Sequence, residues 1–208
     1  MESSTVKTGS FLVLLVLAIV HVSNAGDPDI SSDFLLPANL TVPDGNFFTF
    51  TGFRALVGGQ PPAAFKVTKA SAVEFPALNG QSVSYAVLQF PSGAVNPPHT
   101  HPRSAELLLL LDGSLQVGFV DTANKLYTQT LQTGDMFVFP KGLVHYQFNP
   151  DGNDDALAVS AFGSANAGTV SVPVSVFTTG IDPVVLSKAF KTDTSTVMRL
   201  AAGLAPKA

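Results

Sequence analysis

Apolar and polar residues alternate with a period of two through most of the chain beyond residue 80. Ser82–Phe90 (SVSYAVLQF) sets Val83, Tyr85 and Val87 on one face, which predicts a half-buried strand. Leu107–Leu111 is unbroken leucine, which predicts a short strand buried on both faces. Asp112-Gly113 behind it is a turn signal, and Ser114–Val120 then alternates again. Leu126–Leu131, Met136–Phe139, Val144–Phe148 and Leu157–Phe162 are four further short strands. Thr133-Gly134-Asp135, Pro140-Lys141-Gly142 and Asn149–Asn153 (NPDGN) separate them. Short strands punctuated every few residues by turn chemistry predict an all-β antiparallel sandwich or barrel.

A helical period arises only at the end. Asp182-Pro183 offers an N-cap and a proline at the first helical position, followed by Val184, Val185, Leu186, Ala189 and Phe190. Asp193-Thr194 starts a second helix carrying Val197, Met198, Leu200, Ala201 and Leu204. Both are amphipathic and require a partner, either the barrel or a neighbouring subunit. No repeat and no low-complexity linker divides the chain, which predicts one domain: an irregular arm over 26–60, a barrel over about 61–178 and a helical segment over 182–205.

The first 25 residues stand apart. Lys7 precedes the apolar run Phe11–Val20, and Ser23 and Ala25 place small residues before Gly26, the layout of a secretory signal peptide. The run is shorter than the ~20 residues a membrane span needs. The expectation is an exported chain, with no membrane association once the signal is removed. In that setting Asn39-Leu40-Thr41 becomes a candidate glycosylation site.

Composition narrows the chemistry. The chain is 46% hydrophobic and 12% charged, which argues against disorder. Fifteen acidic residues against 11 basic ones give a net charge of −4, the wrong sign for a nucleic-acid binder. The absence of cysteine removes disulfides, thiolate metal sites and cysteine nucleophiles together.

Of four histidines, His21 leaves with the signal peptide; His99, His101 and His145 remain. His99 and His101 are two apart, so an extended backbone projects both imidazoles from one face. Glu106 falls at an odd offset from His101. Pro102–Ala105 must therefore turn so that Glu106 opens the next strand pointing back inward, and His145 can join from a later strand. A carboxylate and three imidazoles beside leucine-rich strands are costly to bury without a cation. Three nitrogens and one oxygen suit an octahedral first-row ion with two open positions, manganese or iron rather than zinc.

Gly93–Gly113 (GAVNPPHTHPRSAELLLLLDG) and Gly134–Asn149 (GDMFVFPKGLVHYQFN) resemble the two cupin motifs. With the Asn-Pro-Pro-His-Thr-His-Pro-Arg string, the leader and the terminal helices, the whole mature chain resembles plant germin-like proteins. The resemblance implies a cupin jelly-roll β-barrel with C-terminal α-helices, binding manganese through His99, His101, Glu106 and His145. It also implies secretion to the apoplast or cell wall and a homohexamer, a trimer of dimers. The associated activity is dismutation of superoxide to hydrogen peroxide and dioxygen, in defence or development. The alternative is a non-catalytic wall protein that binds a small auxin-like ligand or serves as a store. Three departures bear on this: the family's N-terminal cysteine pair is missing, and Thr133 replaces a basic residue before Gly134-Asp135. Of the two asparagines beside the metal in oxalate-oxidising members, Asn96 matches one but Ala86 stands at the other. Weak oxalate oxidation is the expectation.

Overall fold

The computed structural model describes residues 27–205, so the expected signal peptide, residues 1–25, lies outside it. Two five-stranded sheets face each other, every pairing antiparallel. The first runs β1 (Lys66–Ala70), β2 (Ser84–Phe90), β9 (Ala156–Phe162), β4 (Glu106–Asp112), β7 (Met136–Phe139). The second runs β10 (Val170–Ser171), β3 (Val95–Thr100), β8 (Val144–Phe148), β5 (Ser114–Val120), β6 (Leu126–Gln132). The chain crosses between sheets at Gly113, whose φ of +83° and contact with the Asp155 carbonyl leave no room for a Cβ. The Asp112-Gly113 turn thus joins strands of different sheets rather than closing a hairpin. The result is an all-β jelly roll whose core includes Phe90, Leu108, Leu110, Leu115 and Phe139, each almost wholly excluded from water. Each such side chain contributes roughly 1.5–3 kcal/mol of transfer free energy.

The leucine strand is not buried on both faces. Leu108 and Leu110 point into the core, while Leu107 and Leu111 are 41% and 43% exposed. In β2 the inward face is Ser84, Ala86, Leu88 and Phe90, opposite to the Val83–Tyr85–Val87 face that stands out in the sequence. The interior near the histidines accepts small and polar side chains, so hydrophobicity points to the wrong face there. Strands β1, β3 and β10 escape prediction. Pro97 and Pro98 mask β3, and the ladder tolerates them because its register shifts between Asn96 and His99.

Among the described residues, three α-helices follow the strands: α1 (Val172–Phe177), α2 (Pro183–Ala189) and α3 (Thr194–Leu204). Helix α1 lies within the span expected for the barrel. Its sequence, VPVSVF, is rich in β-branched residues, and Pro173 starts it. The other two begin as expected, with Asp182 accepting from the Val184 amide at 2.7 Å and Asp193 from the Thr196 amide at 2.8 Å. Leu186 and Val197 are buried, whereas Val184, Phe190, Met198 and Leu200 remain exposed. The arm before β1 is mostly irregular and is held without cysteine. Phe34 meets Phe48 edge-on at 5.2 Å, Phe50 lies 5.6 Å from Phe75, and Gln81 Nε2 donates to the Asp33 carbonyl at 3.1 Å.

Candidate metal centre

The four residues singled out in the sequence converge. His99 sits near the end of β3, His101 just beyond it, Glu106 opens β4 after the turn at Pro102-Arg103, and His145 lies opposite His99 on β8. One ligand atom from each lies within 4.8 Å of all the others, and all four residues are buried.

Hydrogen bonding defines how each ring points. Nδ1 of His99 faces the Pro97 carbonyl at 2.9 Å, Nδ1 of His145 the Leu143 carbonyl at 2.8 Å, and Nδ1 of His101 the Gly168 carbonyl. Each Nδ1–H therefore donates to a carbonyl, and Nε2 is left with a lone pair. Yet Nε2 of His101 and of His145 face Glu106 Oε2 at 2.9 Å and 3.2 Å. A neutral imidazole carries one proton and cannot donate from both nitrogens. Either two imidazoliums crowd one buried carboxylate, or a cation lies among the lone pairs. Three imidazole nitrogens and a carboxylate oxygen fit the cation.

Glu106 divides its two oxygens between tasks. Oε1 accepts from Ser160 Oγ at 2.6 Å and from Gln147 Nε2 at 3.2 Å, while Oε2 turns to the imidazoles. Burial pushes its pKa up, but the two imidazoles facing Oε2 outweigh that and hold it below the usual carboxylate range. Gln147 and Ser160 were not singled out in the sequence. The period of two would have found Gln147, two residues past His145 on the same face, but Ser160 carries no such signal. Asn96, singled out as a neighbour of the ligands rather than a ligand, donates its amide to Gln147 Oε1 at 2.6 Å, and Gln147 in turn donates to Glu106. Phe139 stacks on His145 at 4.5 Å and Phe162 meets His101 edge-on at 4.8 Å, closing the cluster from the side.

Burial, and then the neighbouring His145, lower the His99 pKa to about 4. An unfolded histidine titrates near 6.5, so as pH falls the unfolded chain takes up this proton first. The stabilisation from a neutral His99 is complete above about pH 6.5 and is lost as pH falls toward about 4, on the order of 3 kcal/mol in all. Urea unfolding of chelator-treated protein at pH 7, 5.5 and 4 checks this. A flat profile across that window would contradict it.

A cavity of about 530 Å³ opens onto the cluster. Its walls include Phe65, Val67, Ala86, Leu88 and Phe162, with Asn96, His99, His101 and Glu106 on the polar side. Asn39 lies far from it in sequence, exposed in a turn closed by the Leu40 amide donating to the Pro37 carbonyl at 2.9 Å. No helix among the described residues is long and apolar enough to cross a membrane.

The sequence matches the Cupin family over residues 61–198. It is 62% identical over 208 residues to germin-like protein 9-3 of Oryza sativa subsp. japonica, covering 95% of this chain and 97% of that one. Among solved structures, an oxalate oxidase bound to the substrate analogue glycolate superposes with a TM-score of 0.75 at 31% identity, covering 86% of this chain and 98% of that one. Peruvianin-I, a cysteine peptidase from Thevetia peruviana latex, superposes at 0.63 with 27% identity, covering 70% and 98%.

Proposed function

The chain belongs to the germin-like proteins of the cupin superfamily, and from that premise we propose that it is a manganese-binding protein that dismutates superoxide in the apoplast or cell wall. The observation that carries the metal is the pair of histidines whose two ring nitrogens both face acceptors. Iron is the alternative ion for this donor set. A bound manganese supplies reversible one-electron chemistry; two superoxides and two protons become one hydrogen peroxide and one dioxygen. The chain holds the three imidazoles by carbonyls, fixes Glu106 through Ser160 and Gln147, and admits a small anion along the cavity.

Oxalate is the competing substrate, since an oxalate oxidase shares the fold. Orienting the far carboxylate of a chelating dianion requires preorganised donors. Ala86 presents a methyl group to the cavity, and the Asn96 amide is already committed to Gln147. Losing one preorganised donor costs roughly 10²–10³ in rate. Manganese-loaded protein is expected to turn over superoxide and to oxidise oxalate weakly, with Ala86→Asn raising oxalate oxidation by about 10². Steady-state assays of both substrates on both proteins decide it. Robust oxalate oxidation by the unmodified protein would overturn the assignment. Peptidase chemistry through a thiol does not transfer from Peruvianin-I, because this chain has no cysteine.

The size and apolar walls of the cavity favour a second reading, a binding site for a small aromatic acid of the auxin type. Tight binding of such an acid by a protein with no superoxide turnover would select it; a metal-stabilised store would show neither.

Export through the signal peptide and a glycan on Asn39 belong to the same proposal. So does assembly as a homohexamer, a trimer of dimers. Such an assembly needs two kinds of contact, and two separate apolar surfaces are present. One is the outer face of the first sheet, with Tyr85, Leu107, Leu111, Met136 and Val138 exposed. The other is the helical surface bearing Val184, Phe190, Met198 and Leu200.

A further inference from the structure

The three imidazoles are not anchored alike. His99 and His145 each bond the carbonyl two residues earlier, Pro97 and Leu143, so their orientation is set locally. His101 bonds the carbonyl of Gly168, 67 residues away, in the loop between β9 and β10. Whatever holds that loop holds His101.

The loop is bonded residue by residue. The Ser164 carbonyl accepts from Ser84 Oγ at 2.6 Å, and the Ala165 carbonyl from the Ala72 amide at 2.7 Å. Arg103 grips the next two residues, Asn166 and Ala167. Its Nε donates to the Asn166 carbonyl at 2.5 Å, its Nη2 to Asn166 Oδ1 at 3.0 Å, and its amide to the Ala167 carbonyl at 3.2 Å. Gly168 has φ of +72°, and the Arg103 guanidinium lies 2.7 Å from where a Cβ would stand. The loop is thus tied to its surroundings at every residue from Ser164 to Gly168.

Its remaining clamp comes from the other end of the chain. Asp27 Oδ1 accepts from Ser164 Oγ at 2.6 Å, and Oδ2 from the Ala165 amide at 2.6 Å. Ser164 is itself buried and also accepts the Asn166 amide at 3.1 Å. A carboxylate with both oxygens in short bonds is a strong clasp, because each bond is charge-assisted. It joins the arm to the barrel at Ser164 and Ala165, three residues before the Gly168 carbonyl.

We propose that Asp27 is a positioning residue of the metal centre, acting through Ser164, Ala165 and the Gly168 carbonyl to orient the His101 imidazole, so that the N-terminal arm governs how firmly the metal is held. The proposal rests on the metal assignment above. It assigns to the arm a part in the site that its distance in sequence conceals.

The test compares the unmodified protein, Asp27→Asn and Asp29→Asn, each loaded with Mn(II). Asp27→Asn preserves shape but removes the charge and one acceptor. Asp29→Asn makes the same charge change at an exposed neighbour on the arm. Two quantities are read: the rate of manganese loss to a chelator, and the zero-field splitting in the Mn(II) electron paramagnetic resonance spectrum. Partners that orient a metal ligand typically change affinity 10–100-fold when lost. Asp27→Asn is expected to release manganese about 10-fold faster with an altered splitting, while Asp29→Asn matches the unmodified protein. An Asp27→Asn protein with unmodified release and spectrum would overturn the proposal, as would an equal effect from Asp29→Asn. An unmodified protein that takes up no manganese would instead fell the metal assignment, and this proposal with it.

Discussion

Replacing His101 with alanine is expected to weaken manganese binding by more than ~100-fold and to lower the melting temperature of the metal-loaded protein by roughly 5–10 °C. A cation that binds only the folded state stabilises it by about 2.7 kcal/mol at 100 times its dissociation constant. In a chain of this length each kcal/mol moves the midpoint by roughly 2–4 °C. The substitution removes one of four donors and leaves Glu106 Oε2 facing His145 alone. Calorimetry with and without chelator separates this effect from ordinary packing loss. The gap between the two proteins should close once metal is stripped, because the unmodified site without a cation is itself frustrated at His101 and His145. Full manganese occupancy in the variant, measured by elemental analysis, would refute the ligand assignment.

Deleting residues 182–208 is expected to break the proposed hexamer into smaller species or aggregates. The deletion removes α2 and α3, with the outward Val184, Phe190, Met198 and Leu200. Leu186 and Val197, which look equally suited to a neighbour in the sequence, are buried within the chain and cannot contribute. A gentler variant, Met198→Glu with Leu200→Glu, places charge on exposed positions and leaves the buried Leu186 and Val197 unchanged. Charges buried in an apolar interface without partners are strongly disfavoured. Light scattering should therefore report the same loss of mass for this folded variant as for the deletion. A hexamer that survives both changes would refute the helical contact.

The candidate site was legible because its chemistry is concentrated and its local geometry is simple. A spacing of two places His99 and His101 on one face of an extended chain, and the turn at Pro102-Arg103 brings Glu106 back inward. The arrangement around these residues was less legible. Gln147 could have been read from periodicity, since it shares a face with His145. Ser160 could not, because its relation to Glu106 exists only through the pairing of β9 with β4. Asn96, singled out by resemblance, donates to Gln147, which itself donates to Glu106.

The strands with alternating patterns and the two capped helices arise from local rules: side-chain period, turn residues, and carboxylates at helix starts. The sequence alone therefore determined that the chain forms an antiparallel β fold around a histidine–glutamate cluster. It did not determine which face of a strand is buried. In β2 and β4 that depended on what the opposing sheet presents, so Ser84 and Ala86 go inside while Leu107 and Leu111 stay out. Strand β3, interrupted by two prolines, and α1, built from β-branched residues, were decided by neighbouring elements that overrode local propensity. The tie from Asp27 to the loop that holds His101 spans 137 and 138 positions, a relation no periodicity encodes. Local backbone preferences act over a few residues, and contacts at that separation arise only once the whole barrel has closed.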